Sequence, residues 1–270
     1  MGKILTVPNI ILTPPGARNV RAYLAGRQED SFFERITDLS CPLPIGHWPQ
    51  NETTGTDIIC LNNGYRNGVY TGVTLSAIAS PHGYGAPQYD AINDFGNIYS
   101  ASLATALTSW DEGTVLAFIR MRAVSVWTDG VLRRFMDIRN AAQTAIIGLT
   151  KNTTNNQLRL VRTVGGGAVA VQHILPAPPT DWFAVAMTWS QSNNRLRGWY
   201  STIGLAPAQI EATQVGLNTW SGVTIPSNFC TLGCTNSTTP AALMDGYLGD
   251  MIVWNAELDF ATQLSLLMVL

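Results

Sequence analysis

The chain has 270 residues, 46% of them hydrophobic and 13% charged, with a net charge of −2, which suits one large domain with a substantial core or two small ones. The charged share is roughly half the ~25% of ordinary soluble domains, and Thr, Ser, Asn, Ala and Gly fill the gap, favouring sheet and turn over charged surface helices and excluding disorder for most of the chain. Sixteen basic residues face eighteen acidic ones with no basic run longer than Arg133-Arg134, so the electrostatic footprint of nucleic-acid binding is missing.

No stretch approaches the ~20 apolar residues of a membrane span. The opening, Met1 to Leu12, is broken by Pro8, lacks a small-residue cleavage site and does not read as a signal peptide. Pro14, Pro15 and Gly16 continue the punctuation between two short apolar pieces, Ile4 to Val7 and Val20 to Leu24. This predicts an extended arm over residues 1–30 and one folded body over 31–270. Ile4, Leu5, Val7, Ile10, Ile11 and Leu12 cannot build a core of their own. The arm is therefore expected to add an edge strand to its own sheet or to dock on a neighbouring subunit.

Residues 38–99 are rich in Gly, Asn, Pro and Tyr and predict only short strands, Asp57 to Leu61 and Val73 to Ala79. From Gly113 the apolar residues alternate with period two, the mark of half-buried strands. In Thr114 to Arg122, Val115, Ala117, Ile119 and Met121 point one way, and Phe118, Arg120 and Arg122 the other. Asp181 to Trp189 repeats the pattern, Gln191 to Asn194 supplies turn residues, and Arg195 to Ser201 resumes as the second arm of a hairpin. Further strands are expected at Leu132 to Ile138, Ala145 to Thr150, Gln157 to Thr163, Ala168 to Ile174 and Gly246 to Trp254. Many short antiparallel strands at this spacing indicate an all-β sandwich. Only the end of the chain predicts a helix, with Asp259 as its cap and Phe260, Leu264, Leu267 and Met268 near helical spacing.

Four pieces of this pattern carry a family resemblance. Glu112-Gly113-Thr114-Val115-Leu116-Ala117-Phe118 is similar to the strand that opens the core of the concanavalin A-like and laminin-G group. Asp181 to Trp189 resembles that group's W-h-h-v-a-l-t-w strand, and Arg195 to Tyr200 its partner. Gly246 to Trp254, followed by Glu257-Leu258-Asp259 and a short helix, resembles the closing strand and terminal helix. The resemblance covers residues 113–270 well and 36–110 loosely, and implies an antiparallel jelly-roll β-sandwich. Members bind glycans, bind proteins, hydrolyse glycans or build surfaces, so the fold leaves function open.

Catalytic machinery is not evident. Retaining glucanases of this architecture need two carboxylates about 5 to 5.5 Å apart, and the chain has no Glu-x-Asp-x-x-Glu; its nearest acidic pairs are Asp111-Glu112 and Asp245 with Asp250. Gln172-His173-Ile174 faintly resembles the Gln-x-His strand of jelly-roll polysaccharide lyases, without the matching Tyr and Lys. His47, His82 and His173 lie far apart in sequence; His82, in Pro81-His82-Gly83-Tyr84, and His47, beside Trp48, read as surface loop histidines. Asp129-Gly130 and Asp245-Gly246 are the loop candidates for the calcium that the resemblance allows, but Asp-Gly is first a turn signal, and no metal or cofactor is expected. Asp250 reads as a structural acid bonded to neighbouring backbone. Cys41, Cys60, Cys230 and Cys234 read as free thiols, a Cys230 to Cys234 link across a tight turn being the alternative.

Trp127, Trp199 and Trp220 are the tryptophans least explained by an inward strand face. They are the candidates for stacking on a sugar ring, against the alternative of core packing.

Free-standing sandwiches of this kind resemble structural proteins of tailed bacteriophages. The first expectation is therefore a non-enzymatic virion protein. It would be made in the host cytoplasm and placed on the virion exterior as a capsid decoration or cement protein, or else as a tail or fibre component. The arm would attach it to the major capsid protein or other subunits, and the chain would form a homo-oligomer. The alternative is a lectin-like module for cell-surface glycan; a glycan hydrolase or lyase comes third.

Overall fold

The computed structural model describes Phe32 and residues 34–36, 39–220 and 222–270. The arm expected over residues 1–30, with Ile4, Leu5, Val7, Ile10, Ile11 and Leu12, lies outside the described residues. The body consists of short strands: β1 (Gly46–Trp48), β2 (Asp57–Ile58), β3 (Gly68–Thr71), β4 (Thr74–Ala79), β5 (Gly85–Asp90), β6 (Phe95–Asn97), β7 (Glu112–Met121), β8 (Arg133–Arg139), β9 (Ile146–Lys151), β10 (Gln157–Val164), β11 (Gly167–Ile174), β12 (Phe183–Ser190), β13 (Arg195–Thr202), β14 (Ala208–Gln214), β15 (Cys230–Leu232) and β16 (Asp245–Trp254).

They pair antiparallel into two sheets. The first runs β14-β13-β12-β7-β16-β5-β4, with β1 beside β16, and the second runs β11-β10-β9-β8-β15-β6-β3-β2. The predicted hairpin is β12–β13, in register from Phe183 opposite Thr202 to Ser190 opposite Arg195. The β10–β11 hairpin closes on Gly165 and Gly166, whose φ values of 61° and 80° are those of a two-residue turn that matches strand twist and that glycine adopts without strain.

Period two fixes the main core. Val115, Ala117, Ile119 and Met121 of β7 point between the sheets as expected, and meet Met136, Ile138, Ile147 and Leu149 of β8 and β9. The opposite face of β7 differs from expectation, because Phe118 and Leu116 are buried as well. They lie with Trp182, Trp199, Ile252 and Trp254 under Phe32, Ile36, Leu264 and Leu267. Segments from both ends of the described chain fold over the middle of this sheet, so alternation on β7 and β12 separates two buried layers and not core from solvent.

Asp259 caps the last turn as predicted, its Oδ1 accepting the Thr262 N–H at 2.9 Å. The turn is π-helical over Phe260–Leu264 and becomes regular only at Ser265–Leu267. The sequence did not announce α1 (Ala101–Ala106), which Ser100 caps by accepting the Leu103 N–H; with Leu103 its one buried residue, it is too short to show periodicity.

Candidate functional site

The three tryptophans expected at a sugar-binding surface are interior. Trp127 and Trp220 are fully buried and Trp199 is 4% exposed. Trp220 gives its indole N–H to the Leu107 carbonyl at 2.8 Å and meets Trp110 edge-on. Trp127 gives its N–H to the Pro179 carbonyl and packs on Phe183. Trp199 stacks on Phe260 with centroids 3.7 Å apart and planes 8° apart, so the face that a pyranose would use is filled by the C-terminal turn. Burial of the large ring area outweighs exposure at all three positions.

Two polar groupings replace them. The first lies on the outer face of the first sheet, around Asp250. There β16 changes partner from β5 to β1, and its register against β7 slips between Leu248 and Met251. This bulge aims Asp250 outward, as bulges re-aim single side chains. Its carboxylate takes His47 Nε2 on Oδ1 and His82 Nδ1 on Oδ2, both at 2.6 Å, and the Tyr84 hydroxyl donates to Oδ2. Gln50 secures the bulge by donating to the Gly249 carbonyl and accepting from Tyr89.

His47 and His82 are thus not surface histidines, and Asp250 is bonded to side chains and not merely to backbone. Burial by itself would raise the Asp250 carboxyl, but the hydrogen bonds and charges of the two histidines hold it well below the usual carboxylate range. The Phe32 and Phe118 rings lie 4.4 Å and 4.6 Å from His82 and edge-on to each other, and Arg35 sits over Phe32. Closed to solvent in this way, the grouping ties β1, the β4–β5 turn and β16 together and presents no open face to a substrate.

The second grouping lies on the outer face of the second sheet, where no apolar cluster forms among the described residues. Strand register sets Arg134, Thr150, Arg159 and Gln172 in one row across β8, β9, β10 and β11. The neighbouring row holds Asp137, Gly148, Val161 and Ala170. Arg139 grips Asp137 through Nε and Nη2 and also gives Nη1 to Gln143 at 3.0 Å. Arg134 Nη1 lies 3.1 Å from the same carboxylate.

Arg134 reaches Asp137 by lying across Gly148: a Cβ there would stand 2.9 Å from Arg134 Nη1 and 3.2 Å from Val161. Only glycine leaves that passage open. Arg134 is 8% exposed, and its Nε has no hydrogen-bond partner among the described residues. Burial lowers its pKa; Asp137 opposes that, while the guanidiniums of Arg139 and Arg159 add to it. Arg159 is half-buried, and its side chain makes no hydrogen bond or ion pair among the described residues. The face therefore sets three guanidiniums against one carboxylate.

The other sequence candidates are engaged elsewhere. Asp111 accepts the Trp220 backbone N–H, and Glu112 accepts Ser190 and Ser192 hydroxyls. Asp129 holds Arg133 and the fully buried Lys151, and Asp245 holds Arg122, which leaves neither Asp-Gly turn with the free carboxylates a calcium ion needs. His173 faces Glu211 at 3.2 Å on the surface. All four cysteines are free thiols.

No family model and no curated protein matches the chain. Solved structures do. A Trypanosoma rangeli sialidase in complex with the inhibitor DANA is 10% identical with a TM-score of 0.57, the match covering 92% of this chain and 38% of the sialidase. The binding domain of botulinum neurotoxin serotype D is 13% identical with a TM-score of 0.52, over 81% of this chain and 49% of that one. The CBM40 module of a Ruminococcus gnavus IT-sialidase, bound to α2,3-sialyllactose, is 14% identical with a TM-score of 0.47, over 72% of this chain and 95% of that one. The chain thus spans less than half of the first two. Likeness at such identities concerns the fold, and the fold is the antiparallel jelly-roll β-sandwich with a short C-terminal helix that the sequence pattern implies.

Proposed function

We propose that the protein is a non-catalytic, lectin-like carbohydrate-binding module that takes its glycan on the outer face of the second sheet. The observation that carries the reading is the contrast between the two outer faces. The first sheet is sealed under Phe32, Ile36 and the C-terminal turn. The second sets the hydrogen-bonding side chains of Arg134, Arg159 and Gln172 in one row, beside a floor of Gly148, Val161 and Ala170. Planar guanidinium and amide donors on a rigid sheet suit sugar hydroxyls and ring substituents, since fixed polar groups give orientation and specificity.

In keeping with this, the structures of similar fold include a sialidase holding the inhibitor DANA and the binding domain of a toxin. A non-catalytic role is supported by the engagement of the acidic candidates in hydrogen bonds and ion pairs within the fold. Attachment to a virion through residues 1–30 rests on the arm alone, and no contact of the sandwich favours it over glycan binding.

The test is a glycan array probed with the intact protein and with Ala170→Trp. Ala170 is half-buried on β11, so the larger ring should lie across the floor without disturbing the core. Binding that the substitution abolishes is expected. An intact protein that retains no glycan, or an Ala170→Trp variant that binds undiminished, overturns the reading.

A further inference from the structure

We infer that the ligand of this face is a carboxylate-bearing saccharide, its carboxylate held between Arg134 and Arg159; this rests on the glycan-binding reading and specifies its chemistry. Arg134 on β8 and Arg159 on β10 are both register partners of Thr150 on β9. Two strand spacings of ~4.8 Å separate their backbones, a gap within reach of two long side chains on one face. Thr150 between them is fully buried, its hydroxyl turned to the Arg159 carbonyl at 3.0 Å.

The charge on the face is unbalanced. Among the described residues Asp137 is the one carboxylate between the three guanidiniums, and Arg139 already takes both its oxygens. Among the described residues Arg134 has a single ion contact and Arg159 has no counter-ion. An incoming carboxylate supplies two acceptor oxygens in the planar geometry that guanidinium forks recognise. Gln172, exposed and next in the row, is placed to meet the hydroxyls of the same sugar.

The net charge of the whole chain is −2, so the excess of guanidiniums here is local, and a neutral glycan gains no ion pair from it. Gly148 belongs to the same device, because any side chain there displaces Arg134 from its course across the sheet.

The experiment is titration calorimetry of the intact protein with uronic-acid oligosaccharides and sialyllactose, with the methyl esters of the same sugars, with neutral parent saccharides and with a sulfated saccharide. Each is repeated on Arg159→Gln, a substitution at a half-buried side chain without hydrogen bonds or ion pairs among the described residues. At least tenfold weaker binding is expected both on esterification and in Arg159→Gln, with affinity falling as salt is raised. Esters or neutral sugars that bind as well as the acids, with Arg159→Gln unaffected, overturn the inference and leave the glycan-binding reading standing. Equal binding of the sulfated saccharide replaces carboxylate recognition by general anion attraction and also overturns it. Failure of every saccharide to bind overturns both readings.

Discussion

Replacing Asp250 by Ala is expected to be among the most damaging single substitutions in the sandwich. The change removes the acceptor shared by His47, His82 and Tyr84 at a site where Asp250 and His47 are each 1% exposed. A buried donor left without a partner costs about 1–3 kcal/mol, and breaking a buried ion pair from one side about 3–5 kcal/mol. The three losses share one acceptor and are not additive, so about 3–5 kcal/mol is expected in all. Asp250→Asn keeps the volume and one carbonyl acceptor and should cost about 1–3 kcal/mol.

Urea unfolding followed by tryptophan fluorescence and far-UV circular dichroism measures both variants. The carboxyl is depressed in the folded state. Its contribution is therefore present above its unfolded value and is lost as the pH falls below about 4, so Asp250→Asn should blunt the acid sensitivity of the parent. An Asp250→Ala variant within about 1 kcal/mol of the parent would refute the view that this carboxylate holds the bulge, the β4–β5 turn and β1 together.

Asp94, buried and with its carboxyl pushed up to about 6 by burial, acts in the opposite sense. Its protonated form favours folding, so its contribution should fade as the pH rises from about 4 to about 6, and a pH series of urea midpoints should lose that slope in Asp94→Asn. Trp220→Ala should cost about 3–5 kcal/mol through the cavity it leaves, measured by the same unfolding assay; a variant of unchanged stability would contradict its interior position. Cys41 is half-buried, whereas Cys60, Cys230 and Cys234 are buried, and burial pushes the Cys234 thiol up to about 11. Labelling of the native protein with a thiol reagent at pH 8 should therefore modify Cys41 first and the other three only on unfolding, and rapid labelling of Cys230 or Cys234 would contradict their burial.

Local chemistry made most of the sandwich legible before any fold was known. The period-two runs of β7, β12 and β16 name their inward residues because a strand alternates its side chains. The Gly-Gly and Asn-rich turns name the hairpins because few residues accept the turn dihedrals, and Asp259 announces its cap three residues ahead of the Thr262 N–H that it accepts. The short strands β1, β6 and β15 were not legible, since three residues show no period; pairing with β16, β8 and one another defines them.

The sites were decided by tertiary structure alone. His47, His82 and Asp250 are separated by 35 residues or more along the chain, and nothing local marks them as partners; the bulge at Gly249 and the β4–β5 turn bring them together. Arg134 and Arg159 looked like ordinary strand arginines until register placed both beside Thr150. Trp127, Trp199 and Trp220 looked available for a sugar because a strand pattern shows which way a side chain points, but not what the rest of the chain lays over it. Periodicity is a property of neighbours in sequence, whereas burial and charge balance belong to neighbours in space.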